Sequence, residues 1–243
     1  MPTRELVSRD AHRIALGGQG IIDYVIERRR GRRGVRFRVD GRGLAVSAPL
    51  TMPLERIEAL MRESQQWIVR KVAEWSERRV DPLEWREGAR LPWLGGHLTL
   101  RVAHAGRARA VHQGAELRVA APAGDPELVR RAVVRWYRAV AGDVLGARAH
   151  ALAQAAGLAQ PKVLISPART RWGSCNTRRE VRLAWRLVKA PPDLVDYVIC
   201  HELAHLRHMN HSRSFWSEVE RQCPDYRRLR AELLATDHLY RTF

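Results

Sequence analysis

The feature that most constrains this chain is a group of three histidines within eleven residues. The segment from His201 to His205 reads HELAH and matches the pattern HExxH, and His211 follows six residues after it. On an α-helix, residues four positions apart project from the same face, about one turn from each other. At this spacing two imidazole nitrogens can reach one Zn²⁺ ion, each at about 2.0–2.1 Å. The pattern therefore predicts a metal-binding helix.

His211 fits the same ion only if the chain reverses after the helix. Ten residues of continuous helix from His201 would carry the chain about 15 Å away. We therefore expect the helix to end soon after Arg207, with Asn210, which tolerates left-handed backbone conformations, in the turn. Three protein ligands leave a fourth position for water, as in catalytic zinc sites. Glu202 would then lie beside the metal as the general base.

The residues before the motif favour a buried helix. Pro191-Pro192-Asp193 is typical of a helix start, because proline is tolerated in the first turn and aspartate is favourable there. Apolar residues then recur at helical spacing; they are Leu194, Val195, Val198, Ile199 and Leu203. Histidines grouped at the end of such a helix are better explained by a metal than by packing.

Composition indicates a cytoplasmic protein with an anionic partner or substrate. The 243 residues contain no apolar run of 18 or more and carry no apolar signal region at their start, so we expect no membrane span. The three cysteines form no disulfide framework. The formal net charge is +17, supplied mainly by arginine, which is unusual for a hydrolase.

The densest positive charge lies between Arg28 and Arg38, a segment called the basic run below. It contains seven arginines in eleven residues and no acidic residue. Arginine forks match phosphate oxygens, so the basic run is a candidate for nonspecific binding of nucleic acid. A solvated hairpin in an arginine-rich protein explains it equally well.

Residues 1–124 are predicted to form a β-rich part with one helix. Short strands are indicated at 22–26, 35–39, 44–46, 98–102 and 116–120, and a helix at 53–77. No internal repeat is evident.

Residues 125–243 are predicted to form a small zincin-like domain. A long helix over 126–156 is followed by strands at 162–165 and 181–187 and then by the HExxH helix. Ser212 and Pro224-Asp225 are predicted to begin two packing helices. The fold class is therefore α+β, with the HExxH active-site helix beneath a short sheet.

Four motifs in order resemble the YgjP-like metallopeptidase family, which is related to SprT-like and WLM-type zinc proteases. They are RTRWGSC (Arg169–Cys175), LAWRLVKAP (Leu183–Pro191), DYVICHELAHL (Asp196–Leu206) and NHSRSFW (Asn210–Trp216). The resemblance is tight over about residues 160–220. It implies a Zn²⁺ ion held by His201, His205 and His211, with Glu202 as general base. Asn176 stands where the family pattern has serine.

Three functions are compatible with these residues. In a zinc metallopeptidase, Glu202 would take a proton from the zinc-bound water, and an extended peptide would bind along Trp172, Gly173 and Ser174. In a nucleoside triphosphate hydrolase, the same site would act on a phosphoanhydride held by Arg169 and Arg171. Such hydrolases usually hold Mg²⁺ with carboxylates, and no acidic cluster is evident. A nucleic-acid-binding protein with a structural zinc is a third reading.

Overall fold

Residues 5–17, 20–41, 43–78, 80–122 and 125–243 are described by the computed structural model. The chain divides into two units, Met1–Val80 and Asp81–Phe243. From the sequence the division was expected between residues 124 and 125. It lies earlier because Leu100 and Val119, from the second group of strands, share one buried core with Val133 and Tyr137 of the long helix.

The first unit is a four-stranded sheet followed by two helices. Its elements are β1 (Leu6–Ala15), β2 (Ile21–Arg29), β3 (Arg36–Asp40), β4 (Gly43–Pro49), α1 (Leu54–Glu63) and α2 (Gln65–Glu77). The sheet order is β1-β2-β4-β3, with β2 and β4 parallel and the other pairs antiparallel. The single helix expected over 53–77 is interrupted at Ser64, whose backbone (φ −99°, ψ 11°) leaves the helical region.

The second unit begins with a sheet of the same design. Its strands are β5 (Arg90–Trp93), β6 (Gly96–His104), β7 (Arg109–Gln113) and β8 (Glu116–Ala121), in the order β5-β6-β8-β7 with β6 and β8 parallel. Helix α3 (Pro126–Ala155) follows, and the Asp125 side chain accepts hydrogen bonds from the first turn.

The shared design corrects the expectation of no internal repeat. The pattern Leu-x-Val-x-Ala-Pro-x-x-x-Pro occurs at residues 44–53 and again at residues 117–126. In both copies the Leu, Val and Ala are buried core residues, and the chain enters a helix at or just after the second proline.

A three-stranded sheet and three helices complete the second unit. The strands are β9 (Lys162–Ser166), β10 (Gly173–Cys175) and β11 (Glu180–Ala184), in the order β10-β11-β9 with β9 and β11 parallel. The strand expected to reach residue 187 ends at Ala184, because a fully buried 3-10 helix, Trp185–Lys189, turns the chain inward.

The remaining helices are α4 (Pro192–Ala204), α5 (Arg213–Gln222) and α6 (Tyr226–Tyr240). Helix α4 contains the HExxH motif, is buried along most of its length and packs against α3, β10 and β11. The mixed α+β class is therefore confirmed. In the described part of the chain no helix is long and apolar enough to span a membrane.

Candidate metal centre

The end of α4 and the turn after it bring three histidines together. His201 lies in the last turn of α4, and His205 is its C-cap residue. The chain then reverses, so that one nitrogen from each of His201, His205 and His211 lies within 4.8 Å of the others. The Nε2 atoms of His201 and His211 are 3.2 Å apart. The helix ends at Ala204, slightly earlier than expected, and the reversal needed for His211 is present.

The surrounding residues fix the orientation of the imidazoles. His205 donates from Nδ1 to the carbonyl oxygen of His208 at 3.0 Å, which leaves its Nε2 with a free lone pair for a metal. The fully buried Phe215 ring contacts all three imidazoles, with centroid separations of 4.5–4.9 Å. Phe215 is held by α5, whose first turn is capped by Ser212 as predicted. The cluster is therefore supported from two sides.

The electrostatics of the cluster favour neutral imidazoles. Burial, assisted by the neighbouring His205 and His211, lowers the pKa of His201 to about 4. Burial also lowers the pKa of His205. Metal ions bind the neutral form of histidine, so at neutral pH no proton has to be removed from these two side chains.

Glu202 is a buried carboxylate directly beside this cluster. Its side chain is in a residue only 5% exposed, and its Oε2 has no hydrogen-bond partner in the described part of the chain. Burial raises the pKa of Glu202 to about 7, although the positive charge of Arg171 opposes that rise. A carboxylate with a pKa close to neutral can both accept and return a proton.

Strand β10 passes against Glu202 because residue 173 is a glycine. A Cβ atom on Gly173 would lie 2.5 Å from both Cγ and Oε1 of Glu202, closer than real Cβ atoms approach any neighbour. Since Glu202 is buried, its side chain has little room to move aside. Gly173 is therefore the residue that allows the edge of the sheet to lie beside the carboxylate.

The five residues predicted to contact substrate lie on the loop into β10 and on β10 itself. Arg169 and Arg171 are exposed, whereas Trp172 and Ser174 are half-buried. The carbonyl oxygen of Trp172 accepts a hydrogen bond from the backbone N–H of Ala184 at 2.8 Å, which ties the loop to the end of β11.

Two supporting features were not predicted from the sequence. The carbonyl oxygen of His208 orients His205, and a backbone oxygen has no residue-specific signature. Glu218, a buried residue of α5, accepts hydrogen bonds from Arg221 at 2.7 Å and from Arg207, in the turn after α4, at 3.3 Å. Only a structure shows that this carboxylate is used to hold the turn.

Part of the basic run is engaged within its own unit. Arg28 donates to the carbonyl oxygens of residues 49, 50 and 52. Arg29 and Arg38 form ion pairs with Glu27 at 2.8 and 3.5 Å. These arginines help to hold the sheet, so the phosphate-binding reading depends on the other arginines of the basic run.

Comparison with known proteins agrees with this geometry. The family model described as YgjP-like, metallopeptidase domain, matches residues 33–236. Among solved structures, the metallopeptidase zymogen jannalysin of Methanocaldococcus jannaschii is similar at 19% identity and a TM-score of 0.32, over 37% of this chain and 96% of that one. No curated protein matches the chain.

A cluster of histidines beside a buried glutamate, at the edge of a sheet, is a site suited to metal-dependent hydrolysis. The family match covers most of the chain and gives this class its identity. The chain belongs to the YgjP-like metallopeptidase family. It is therefore a metallopeptidase and a hydrolase, as expected from the four motifs.

Proposed function

We propose that this protein is a zinc peptidase in which His201, His205 and His211 hold the ion and Glu202 is the general base. The observation that carries the proposal is the approach of three histidine nitrogens to within 4.8 Å, next to a buried carboxylate. A ligand set made only of imidazole nitrogens suits Zn²⁺ better than Mg²⁺ or Ca²⁺, which prefer oxygen ligands.

When bound, zinc would supply a Lewis acid that polarises the peptide carbonyl and acidifies the attacking water. Glu202 would accept the proton of that water at a carboxylate oxygen and deliver it to the nitrogen of the leaving amine. The free Oε2 of Glu202 and its raised pKa support this role. The apolar wall formed by Phe215 would keep bulk water away from the ligands.

The peptide would bind as an extended strand beside β10. In the part of the chain that the structure describes, β10 pairs with β11 on one side only, so its other edge is available for backbone hydrogen bonds. This edge runs past Glu202, because Gly173 lies in contact with that side chain. Trp172 and Ser174 would contact the side chains or backbone of the peptide.

A nucleoside triphosphate is the second candidate substrate. The observation in its favour is that Arg169 and Arg171 are both exposed, and no ion pair of either residue is present among the described residues. Two such guanidinium groups can bind phosphate oxygens. Since no carboxylate cluster accompanies the histidines, the peptidase proposal is preferred.

The test is a parallel assay of both substrate classes. Protein purified with its native metal would be incubated with fluorescein-labelled casein and, separately, with the four common nucleoside triphosphates. Zinc-depleted protein, and the same protein after zinc is restored, are the controls. We expect zinc-dependent release of casein fragments. Zinc-dependent pyrophosphate or phosphate release without casein cleavage would overturn the proposal in favour of the nucleotide.

A further inference from the structure

The residue after α6 contacts the loop that leads into β10. Arg241 places its guanidinium carbon 4.5 Å from the centre of the Trp172 ring. The same guanidinium donates a hydrogen bond to the carbonyl oxygen of Arg169. Asp237, one turn earlier in α6, accepts a hydrogen bond from the Nε of Arg241 at 2.7 Å. One side chain therefore holds the loop at two points while Asp237 fixes its direction.

The segment that carries Arg241 is itself anchored by buried basic residues. Arg186, 3% exposed, donates from Nε to the carbonyl oxygen of Phe243 at 2.7 Å. Lys189, 1% exposed, donates to the carbonyl oxygen of Thr242, and its Nζ lies 3.2 Å from the centre of the Phe243 ring. Both belong to the 3-10 helix that follows β11. This anchoring gives a structural role to the WRLVK part of the LAWRLVKAP motif.

The loop has few other constraints between its two ends. Arg169, Thr170 and Arg171 are exposed. Among the described residues, the bond from Arg241 is the hydrogen bond made by these three residues. The position of the loop is therefore sensitive to Arg241, whereas β10 itself is also held by its pairing with β11.

We infer that Arg241 is a positioning residue that sets the substrate-facing loop 169–172 next to Glu202. Its stack on Trp172 and its bond to Arg169 place both side chains beside the edge of β10. The effect on catalysis rests on the proposed function, because it assumes that a peptide binds along this edge. The effect on the loop itself does not.

The first test measures the loop directly. Hydrogen–deuterium exchange followed by mass spectrometry would compare the parent with Arg241→Ala. We expect exchange over residues 169–172 to accelerate by about tenfold, since the loop loses its hydrogen bond and its aromatic contact. The control is Arg131→Ala on α3, which removes a similar exposed ion pair four residues from its partner, Glu127, at 2.9 Å. Unchanged exchange over 169–172 in Arg241→Ala would overturn the inference.

Two further variants guard against a general loss of folding. Arg241→Lys keeps the charge and can still bond to Asp237, but it lacks the planar fork, so we expect an intermediate exchange rate. Asp237→Asn keeps the guanidinium and removes the charge that orients it, and should shift the rate in the same direction by less. If all three variants accelerated exchange equally throughout the second unit, the effect would be general destabilisation and the inference would fail.

The second test measures the effect on catalysis with labelled casein. Because the loop binds substrate but carries none of the reacting groups, Arg241→Ala should raise KM by about tenfold and leave kcat within about twofold. Zinc content should be unchanged. An unchanged KM alongside accelerated exchange would refute the catalytic half of the inference. If the parent protein cleaved no peptide while exchange still responded to Arg241, the proposed function would fail and the positioning role would stand.

Discussion

Gly173→Ala is the substitution that most sharply tests the arrangement of β10 and Glu202. The added methyl group would lie 2.5 Å from Oε1 and Cγ of Glu202 and 2.7 Å from Cδ. Ordinary contacts between such atoms exceed 3.4 Å, so the strand and the carboxylate have to separate by about 1 Å. A displacement of this size at a reacting group typically lowers kcat by about 100-fold. Overpacking at a buried position costs about 1–3 kcal/mol of stability.

The assay is cleavage of labelled casein, with stability measured by chemical denaturation. Gly146→Ala is the matched control, because Gly146 lies in α3 and among the described residues no heavy atom comes within 4 Å of its added Cβ. That change should stabilise the helix by about 1 kcal/mol and leave activity unaltered. If Gly173→Ala retained the kcat and stability of the parent, β10 would not lie against Glu202 and the proposed substrate edge would be misplaced.

Three other predictions concern the metal, a buried lysine and the basic run. Elemental analysis should show that most of the zinc is lost on single alanine substitution of His201, His205 or His211, and full retention without His211 would place the third ligand elsewhere. Burial lowers the pKa of Lys189 from 10.5 to about 6, so the unfolded chain binds more protons there and the free energy of unfolding should rise between about pH 6 and 10. Denaturant titrations across that range should show a weaker rise in Lys189→Met, and an identical pH profile would mean that Lys189 stays charged. For the exposed arginines of the basic run, filter binding to duplex DNA should lose about 0.9 in log–log salt slope per phosphate contact when Arg30, Arg33 and Arg36 become serine; an unchanged slope would leave the run as a solvated surface.

The metal helix was predictable because its chemistry is local. HExxH spacing, the proline start and the apolar face all lie within one continuous segment, and α4 forms there. Most strands were also placed correctly, since alternating apolar residues and Gly-rich turns are local signals. The identity of the family followed from four motifs and is confirmed by the family model.

The features that sequence reasoning missed depend on contacts between distant residues. The boundary near residue 80 arises because the second sheet and α3 share a core, which periodicity within each element does not reveal. The repeated sheet design has a short signature, Leu-x-Val-x-Ala-Pro-x-x-x-Pro, that is easily overlooked at a spacing of many residues. The contacts of Arg241 with Trp172, and of Gly173 with Glu202, join segments separated by tens of residues.

The most direct test of the central claim is the activity of Glu202→Gln loaded with zinc. Glutamine has a similar volume and keeps the metal-binding histidines in place, but it has no basic carboxylate. The account predicts one zinc per chain in both proteins, and a kcat for casein cleavage about 10²–10⁴-fold lower in the variant. A zinc-loaded Glu202→Gln protein that cleaves casein at the parental rate would contradict the account.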